Sequence, residues 1–231
     1  MDAAPTLYQI EARLRSALSD PGPCPDAHSR VAPQPRVGWK AGVIPEGSRA
    51  AAALLLLYPI GDRAHLCLTR RAGSLGTHAG QISLPGGAVD DGEKIEEAAL
   101  REAHEEIGLS SNGLRVLGRL TPLYIPVSNF ALHPVLGVLT TRPSLAASAA
   151  EVAHILEVAL DDLLAPTNLR PGWIWRDRET ITVPFFALGG ERVWGATAMV
   201  LSELVHLLQL DATAPPNTEP GQSEPGWNPR P

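Results

Sequence analysis

The sequence predicts an α/β fold on three observations. Two runs of mostly apolar, partly branched residues, Leu114 to Tyr124 and Leu132 to Thr141, are bounded by Gly, Pro and Asn as strands are. Strong helix formers run from Glu93 without Gly or Pro until Gly108, a helix stop. Gly195 to Leu210 sets Val200, Leu201, Leu204, Val205 and Leu208 on one apolar helical stripe.

In chain order, Leu7, Ile10, Leu14 and Leu18 fall at helical spacing, predicting a short amphipathic helix that docks on the body or on a second subunit, which leaves a homodimer open. Asp2, Glu11, Arg13 and Arg15 interrupt any signal-like apolar run. Pro21 to Arg36 is Pro-rich and reads as a linker without a core of its own. The apolar run from Ala50 to Ile60 is too short to span a membrane, and Gly61-Asp62 separates it from His65 to Thr69, as in a hairpin. Its Ala/Leu content fits a buried helix as well as a buried strand. Val152 to Leu160 reads as a strand feeding a short helix from Asp161 to Leu164, with Asp161 as N-cap. Trp173 to Trp175, Thr180 to Phe186 and Arg192 to Trp194 are expected as final strands, and the tail from Asp211 as disordered. The organisation expected is an N-terminal helix and linker over 1–36, one domain over 37–210, and a tail over 211–231.

With 231 residues, 44% of them hydrophobic, the chain is long enough for one core. A net charge of -6 gives no general electrostatic case for nucleic acid or for an anionic membrane surface. Cys24 and Cys67 make neither a disulfide framework nor a thiolate metal site, and a reducing cytoplasm fits them.

The most informative stretch is Gly87 to Leu109. Turn residues Gly87, Asp90, Asp91 and Gly92 open it, and a helix of about four turns follows. Glu102, Glu105 and Glu106 stand at i, i+3 and i+4, on one face near the helix C-terminus. Like charges at that spacing cost about 0.2–0.5 kcal/mol per pair, and the macrodipole there is already negative. A divalent cation would reverse the sign of that repulsion. Oxygen ligands without His or Cys between them suit Mg²⁺ or Mn²⁺ rather than zinc. A plain solvated Ala/Glu-rich face is the competing account of an isolated Glu pair.

The spacing goes further. Gly87, Glu93, Arg101-Glu102, Ala103, Glu105-Glu106, Gly108 and Leu109 resemble the full signature of the Nudix hydrolase family, G-x5-E-x7-R-E-U-x-E-E-x-G-U with U apolar. The resemblance implies a Nudix fold: a mixed β-sheet sandwiched between α-helices, α/β/α, with a loop–helix–loop catalytic motif. It thereby settles Ala50 to Ile60 as a strand. It implies that Glu102, Glu105 and Glu106 hold the metals, that Arg101 and Glu93 orient them, and that water attacks a phosphorus of a nucleoside diphosphate linked to another group.

The preceding segment, Cys67 to Gly87, is similar to the upstream signature of the coenzyme A pyrophosphatase subgroup, L-L-T-x-R-[SA]-x3-R-x3-G-x3-F-P-G-G. Leu68, Thr69, Arg71, Ala72, Gly80, Pro85, Gly86 and Gly87 are on pattern, while Cys67, Gly76 and Leu84 replace Leu, Arg and Phe. The expected substrate is thus a small nucleotide, coenzyme A or an acyl thioester. Arg70, Arg71, His78, Gln81, Gly86 and Gly87 are the expected substrate contacts. Guanidinium forks suit phosphate oxygens, but Arg71 also suits a sheet-edge ion pair, and His78 a loop histidine bonded to backbone. Gly86-Gly87 either let backbone N–H groups approach a phosphate or form a tight helix entry.

Tyr124 to Phe130 resembles the subgroup's segment after the Nudix box, the signature from Gly87 to Leu109, with Asn129 in place of Gly, and either lines the pocket or covers the sheet. Val193 to Ala198 is another place where the chain resembles the coenzyme A subgroup. Glu151 and Glu157 are flagged because the family often takes a further acid from outside the box as ligand or base, and an ordinary surface acid is the competing account of each. The rivals are the same chemistry on another nucleoside diphosphate derivative, and a Nudix-fold binding protein without turnover.

Overall fold

A computed structural model describes residues 5–19, 24–73, 80–176 and 179–208. His78 and the tail beyond 208 lie outside the described residues. In chain order the helices are α1 (Leu7–Ser19), α2 (Pro25–Ser29), α3 (Ile95–Ile107), α4 (Leu160–Leu164) and α5 (Gly195–Leu208). The strands are β1 (Arg49–Ile60), β2 (Arg63–Arg71), β3 (Ile82–Ser83), β4 (Gly86–Ala88), β5 (Arg115–Arg119), β6 (Leu123–Ile125), β7 (Phe130–Val138) and β8 (Val152–Ala159). Five short ones follow: β9 (Leu169–Arg170), β10 (Trp173–Arg176), β11 (Glu179–Thr182), β12 (Phe185–Leu188) and β13 (Glu191–Trp194).

The first eight strands form one mixed sheet whose spine runs β3-β2-β1-β7-β5. β1 and β7 pair in parallel, Arg49 opposite Phe130 through Leu57 opposite Val138. β1 also pairs antiparallel with β2 and β4. The Ala/Leu run is therefore a central strand, and its lack of alternation has a physical cause: both of its faces are covered. Ala53, Leu55 and Leu57 face a core shared with α1 and α5, through Leu14, Leu201 and Leu204. Ala52, Leu54, Leu56 and Tyr58 face the other way, onto Ala98, Ala99, Ala103 and Ile107 of α3. This is the α/β/α sandwich.

The amphipathic helix docks on its own chain: Ile10 and Leu14 are buried, and Arg13 Nη1 donates to the Leu208 carbonyl at 3.0 Å. The Pro-rich stretch departs from a linker. Ala27, His28, Val31 and Ala32 are buried, and Ser202 Oγ on α5 donates to the Ala27 carbonyl at 2.7 Å. His28 Nε2 lies 2.9 Å from Glu203 Oε2, whose carboxylate also accepts from the Thr121 N–H and hydroxyl. Leu114 to Tyr124 is two strands, β5 and β6, broken at Pro122, which has no N–H for a ladder. Asp161 caps nothing: Ala159 holds the N-cap position of α4, and Asp161 accepts from Arg63 Nε at 3.1 Å.

Candidate active site

The site stands where α3 crosses β4. α3 begins at Ile95, with the Glu97 carboxylate folded back to the Lys94 N–H at 3.3 Å and to Lys94 Nζ at 3.1 Å. It ends at Gly108, whose φ of 63° is a left-handed cap that a side chain would strain. Four small or apolar residues, Ala98, Ala99, Ala103 and Ile107, seat its buried face directly on the sheet. Ala103, in the apolar slot of the box, is fully buried, and its small size lets the helix approach β1 closely.

Two glycines make that approach possible. A Cβ at Gly86 would collide with the Ala52 carbonyl oxygen and the Ala53 backbone. A Cβ at Gly87 would lie 2.5 Å from the Glu102 Cδ and Oε1. Both sit in extended backbone of β4, opposite Ala53 and Ala52. Their smallness thus serves strand pairing and the seating of Glu102.

The carboxylates are held by two arginines. Arg101 forks onto Glu93, Nε to Oε1 at 2.9 Å and Nη2 to Oε2 at 3.0 Å, and donates to the Ala88 carbonyl at 3.0 Å. Its Nη1 reaches Glu102 Oε1 at 2.8 Å and Glu105 Oε2 at 3.3 Å. This hydrogen bonding holds the Glu93 carboxyl below its usual range. Glu106 turns the other way: its Oε2 accepts from the Gly86 N–H at 3.3 Å, and Arg71 Nη1 stands 3.8 Å from Oε1. As they stand, Arg101 bridges Glu102 and Glu105 while Glu106 turns to Gly86 and Arg71, and among the described residues no three such side chains converge on one point.

Burial sets the protonation of Glu106 and Glu102. Glu106, only 3% exposed, has its carboxyl pushed up to about 7, chiefly by desolvation, against the pull of Arg71 and with the charges of Glu102 and Glu151 adding to the rise. Burial raises Glu102 as well, with Glu105 and Glu151 acting the same way. The donor set is all carboxylate, crowded and partly desolvated, so the residues fit a hard divalent cation.

Of the expected substrate contacts, Arg71 joins this site and Arg70 does not. Adjacent strand residues point to opposite faces, and Arg70 Nη1 pairs with Glu191 Oε1 of β13 at 2.9 Å. The Gln81 carbonyl accepts from the Arg71 N–H at 3.0 Å. The loop from Tyr124 to Phe130 closes on itself, Tyr124 Oη to Asn129 Oδ1 at 3.1 Å, and Asn129 takes the positive φ (54°) of the turn.

The two flagged acids separate. Glu157 accepts from Tyr58 Oη at 2.9 Å and from Arg142 Nη2 at 2.6 Å, an ion pair at the sheet edge. Glu151 lies beside the box. Its turn is tied to α3 by the Ser148 N–H donating to the Glu106 carbonyl at 2.8 Å, and to β2 by the Ala72 N–H donating to the Glu151 carbonyl at 2.8 Å. No spacing rule within the box points to it.

Fold, box and comparison agree on the class. The NUDIX domain model matches residues 48–182, and the chain belongs to the Nudix hydrolase family. It is 39% identical over 140 residues to the uncharacterized Nudix hydrolase NudL of Pectobacterium atrosepticum, covering 60% of this chain and 72% of that one. With the uncharacterized NudL of Photorhabdus laumondii the identity is 35% over 160 residues, 69% of this chain and 85% of the relative. Among solved structures, the Nudix hydrolase RenU of M. smegmatis shares the fold, with a TM-score of 0.51 at 22% identity over 72% of this chain and 89% of that one. Among the described residues no helix is long and apolar enough to cross a membrane.

Proposed function

We propose that this Nudix enzyme is a Mg²⁺- or Mn²⁺-dependent pyrophosphohydrolase of coenzyme A and its thioesters, working in the cytoplasm. Water adds to one phosphorus, the P–O–P bridge breaks, and the products are adenosine 3',5'-bisphosphate and 4'-phosphopantetheine or its acyl form. The observation that carries the substrate is the segment from Cys67 to Gly87, which matches the subgroup pattern at eight positions and delivers Arg71 to the face that holds Glu106.

Glu102, Glu105 and Glu106 are the ligands. Bound there, divalent ions would neutralise the phosphoryl oxygens and acidify the attacking water. Arg101, locked by Glu93, keeps Glu102 and Glu105 oriented. Arg71 is freed to meet the diphosphate once Glu106 is otherwise neutralised, because its present contact, at 3.8 Å, is loose. Glu151 is the further acid of the site, since its turn is tied to the end of α3 by the Ser148 N–H donating to the Glu106 carbonyl at 2.8 Å.

A second reading keeps the chemistry and changes the substrate to an ADP-sugar, a dinucleotide or a nucleoside triphosphate. Gly76, standing where the subgroup has an Arg, favours it. Purified protein with Mg²⁺ is tested against coenzyme A, acetyl-coenzyme A, 3'-dephospho-coenzyme A, ADP-ribose and ATP. Highest kcat/KM on coenzyme A or its thioester supports the proposal, and preference for any substrate without the 3'-phosphate overturns it.

A further inference from the structure

Outside the box, one segment is charged against the trend of the chain. Residues 30–49 carry Arg30, Arg36, Lys40 and Arg49 against Glu46 alone, in a protein of net charge -6. Among the described residues none of these four cations meets a carboxylate. Arg49 lies over the Phe130 ring at 4.3 Å. Arg36 is the more confined. Its Cζ is 5.0 Å above the Trp39 ring, and Nη1 touches Met199 Sδ of α5 at 2.6 Å.

A guanidinium has five N–H donors, and a thioether sulfur is a weak acceptor. Half-buried between an indole and a buried methionine, Arg36 is partly desolvated and, among the described residues, meets no anion. Burial pulls it down to about 10. A desolvated cation without a counter-charge costs stability unless something outside the fold pairs with it. The backbone around it is fixed on both sides: Gln34 bridges Thr182 through paired N–H to carbonyl bonds of 2.8 Å, and the Trp39 N–H donates to the Arg36 carbonyl at 3.3 Å. Gly38 abuts Pro126 of the loop before β7. Met199 belongs to the core on the α5 face of the sheet, and Ala103 and Ile107 of the box helix belong to the core on the other face.

We propose that Arg36, stacked on Trp39 and flanked by Lys40, is a subsite for a phosphate-class anion, either a phosphate of the substrate or that of a separate phosphorylated ligand. The arrangement does not depend on the coenzyme A reading, and the test is run without divalent metal to keep the two apart. Calorimetric titration of the full chain in EDTA with inorganic phosphate and pyrophosphate is compared with Arg36→Met, which keeps the apolar stem, and with Arg36→Lys. Loss of a charge-assisted contact weakens anion binding about tenfold or more in Arg36→Met, while Arg36→Lys retains part of it. Anion should also raise the melting temperature of wild type and not that of Arg36→Met. Equal binding in wild type and Arg36→Met, or none in wild type, overturns the proposal. With metal restored, a raised KM at unchanged kcat in Arg36→Met assigns the phosphate to the substrate. An unchanged KM with loss of phosphate binding assigns it to a separate ligand.

Discussion

The carboxylate of Glu102 fills the space that a side chain at Gly87 would need: a Cβ at 87 would lie 2.5 Å from the Glu102 Cδ. Gly87→Ala therefore has to move Glu102 or part α3 from β4. The expected result is a loss of about 100-fold in kcat/KM, the scale at which misplaced catalytic groups register, with only a small change in stability, because the obstructing atoms are the far end of the Glu102 side chain. Steady-state kinetics with Mg²⁺ and a thermal melt check it.

Arg101 acts as a clamp. Arg101→Lys keeps the charge but loses the fork to Glu93 and the reach to Glu102, Glu105 and the Ala88 carbonyl. Activity is expected to fall about 10–100-fold, with a rise in the Mg²⁺ concentration required for half-maximal rate, as when the partners of metal ligands are removed. A variant with normal metal dependence would make Arg101 only a surface ion pair.

Glu106 gives a pH signature. Its carboxyl is raised to about 7 in the fold, above the ordinary value near 4.5 that it has unfolded. The folded state thus holds the proton more tightly, so this contribution to stability is full below pH 4.5 and is lost as pH rises through about 7. Metal-free protein should lose about 3 kcal/mol from this group between pH 4 and pH 8, because each tenfold difference in proton affinity between the folded and unfolded chain is worth about 1.4 kcal/mol. Denaturant titrations in EDTA measure it, and Glu106→Gln should flatten that part of the profile.

Glu151 and Glu157 should behave oppositely. Glu151→Gln is expected to lower kcat by about 100-fold with little change in melting temperature, the scale of a general acid–base or ligand loss. Glu157→Gln weakens the contacts to Arg142 and buried Tyr58, costs about 1–2 kcal/mol, and leaves kcat near wild type. Parallel kinetics and melts on the two variants separate the roles.

Much of this architecture is legible in the residues. The stop at Gly108, the hairpin around Gly61-Asp62 and the stripe of α5 follow from local chemistry, and the structure carries all three. Ala50 to Ile60 needs the family resemblance, because a strand covered on both faces has no alternation to read. Nearness in sequence groups Arg70 with Arg71, yet the period of two in a strand sends them to opposite faces. Val31 and Ala32 hide among prolines: Pro forbids regular ladders but does not stop two small apolar side chains from filling a core. The position of Glu151 depends on a long-range fold-back of the segment after Ala146 onto the end of α3, through Ala146 N–H to the Ile107 carbonyl at 2.9 Å, which no local pattern encodes.

The central claim is that Glu102, Glu105 and Glu106 grip divalent ions for attack on a diphosphate. Titration of Mn²⁺ into the protein, followed by loss of the free-ion electron paramagnetic resonance signal, tests it most directly. Binding by wild type, weakened about tenfold or more by Gln at any of the three positions, is the predicted result. Unchanged Mn²⁺ binding in all three variants would contradict it.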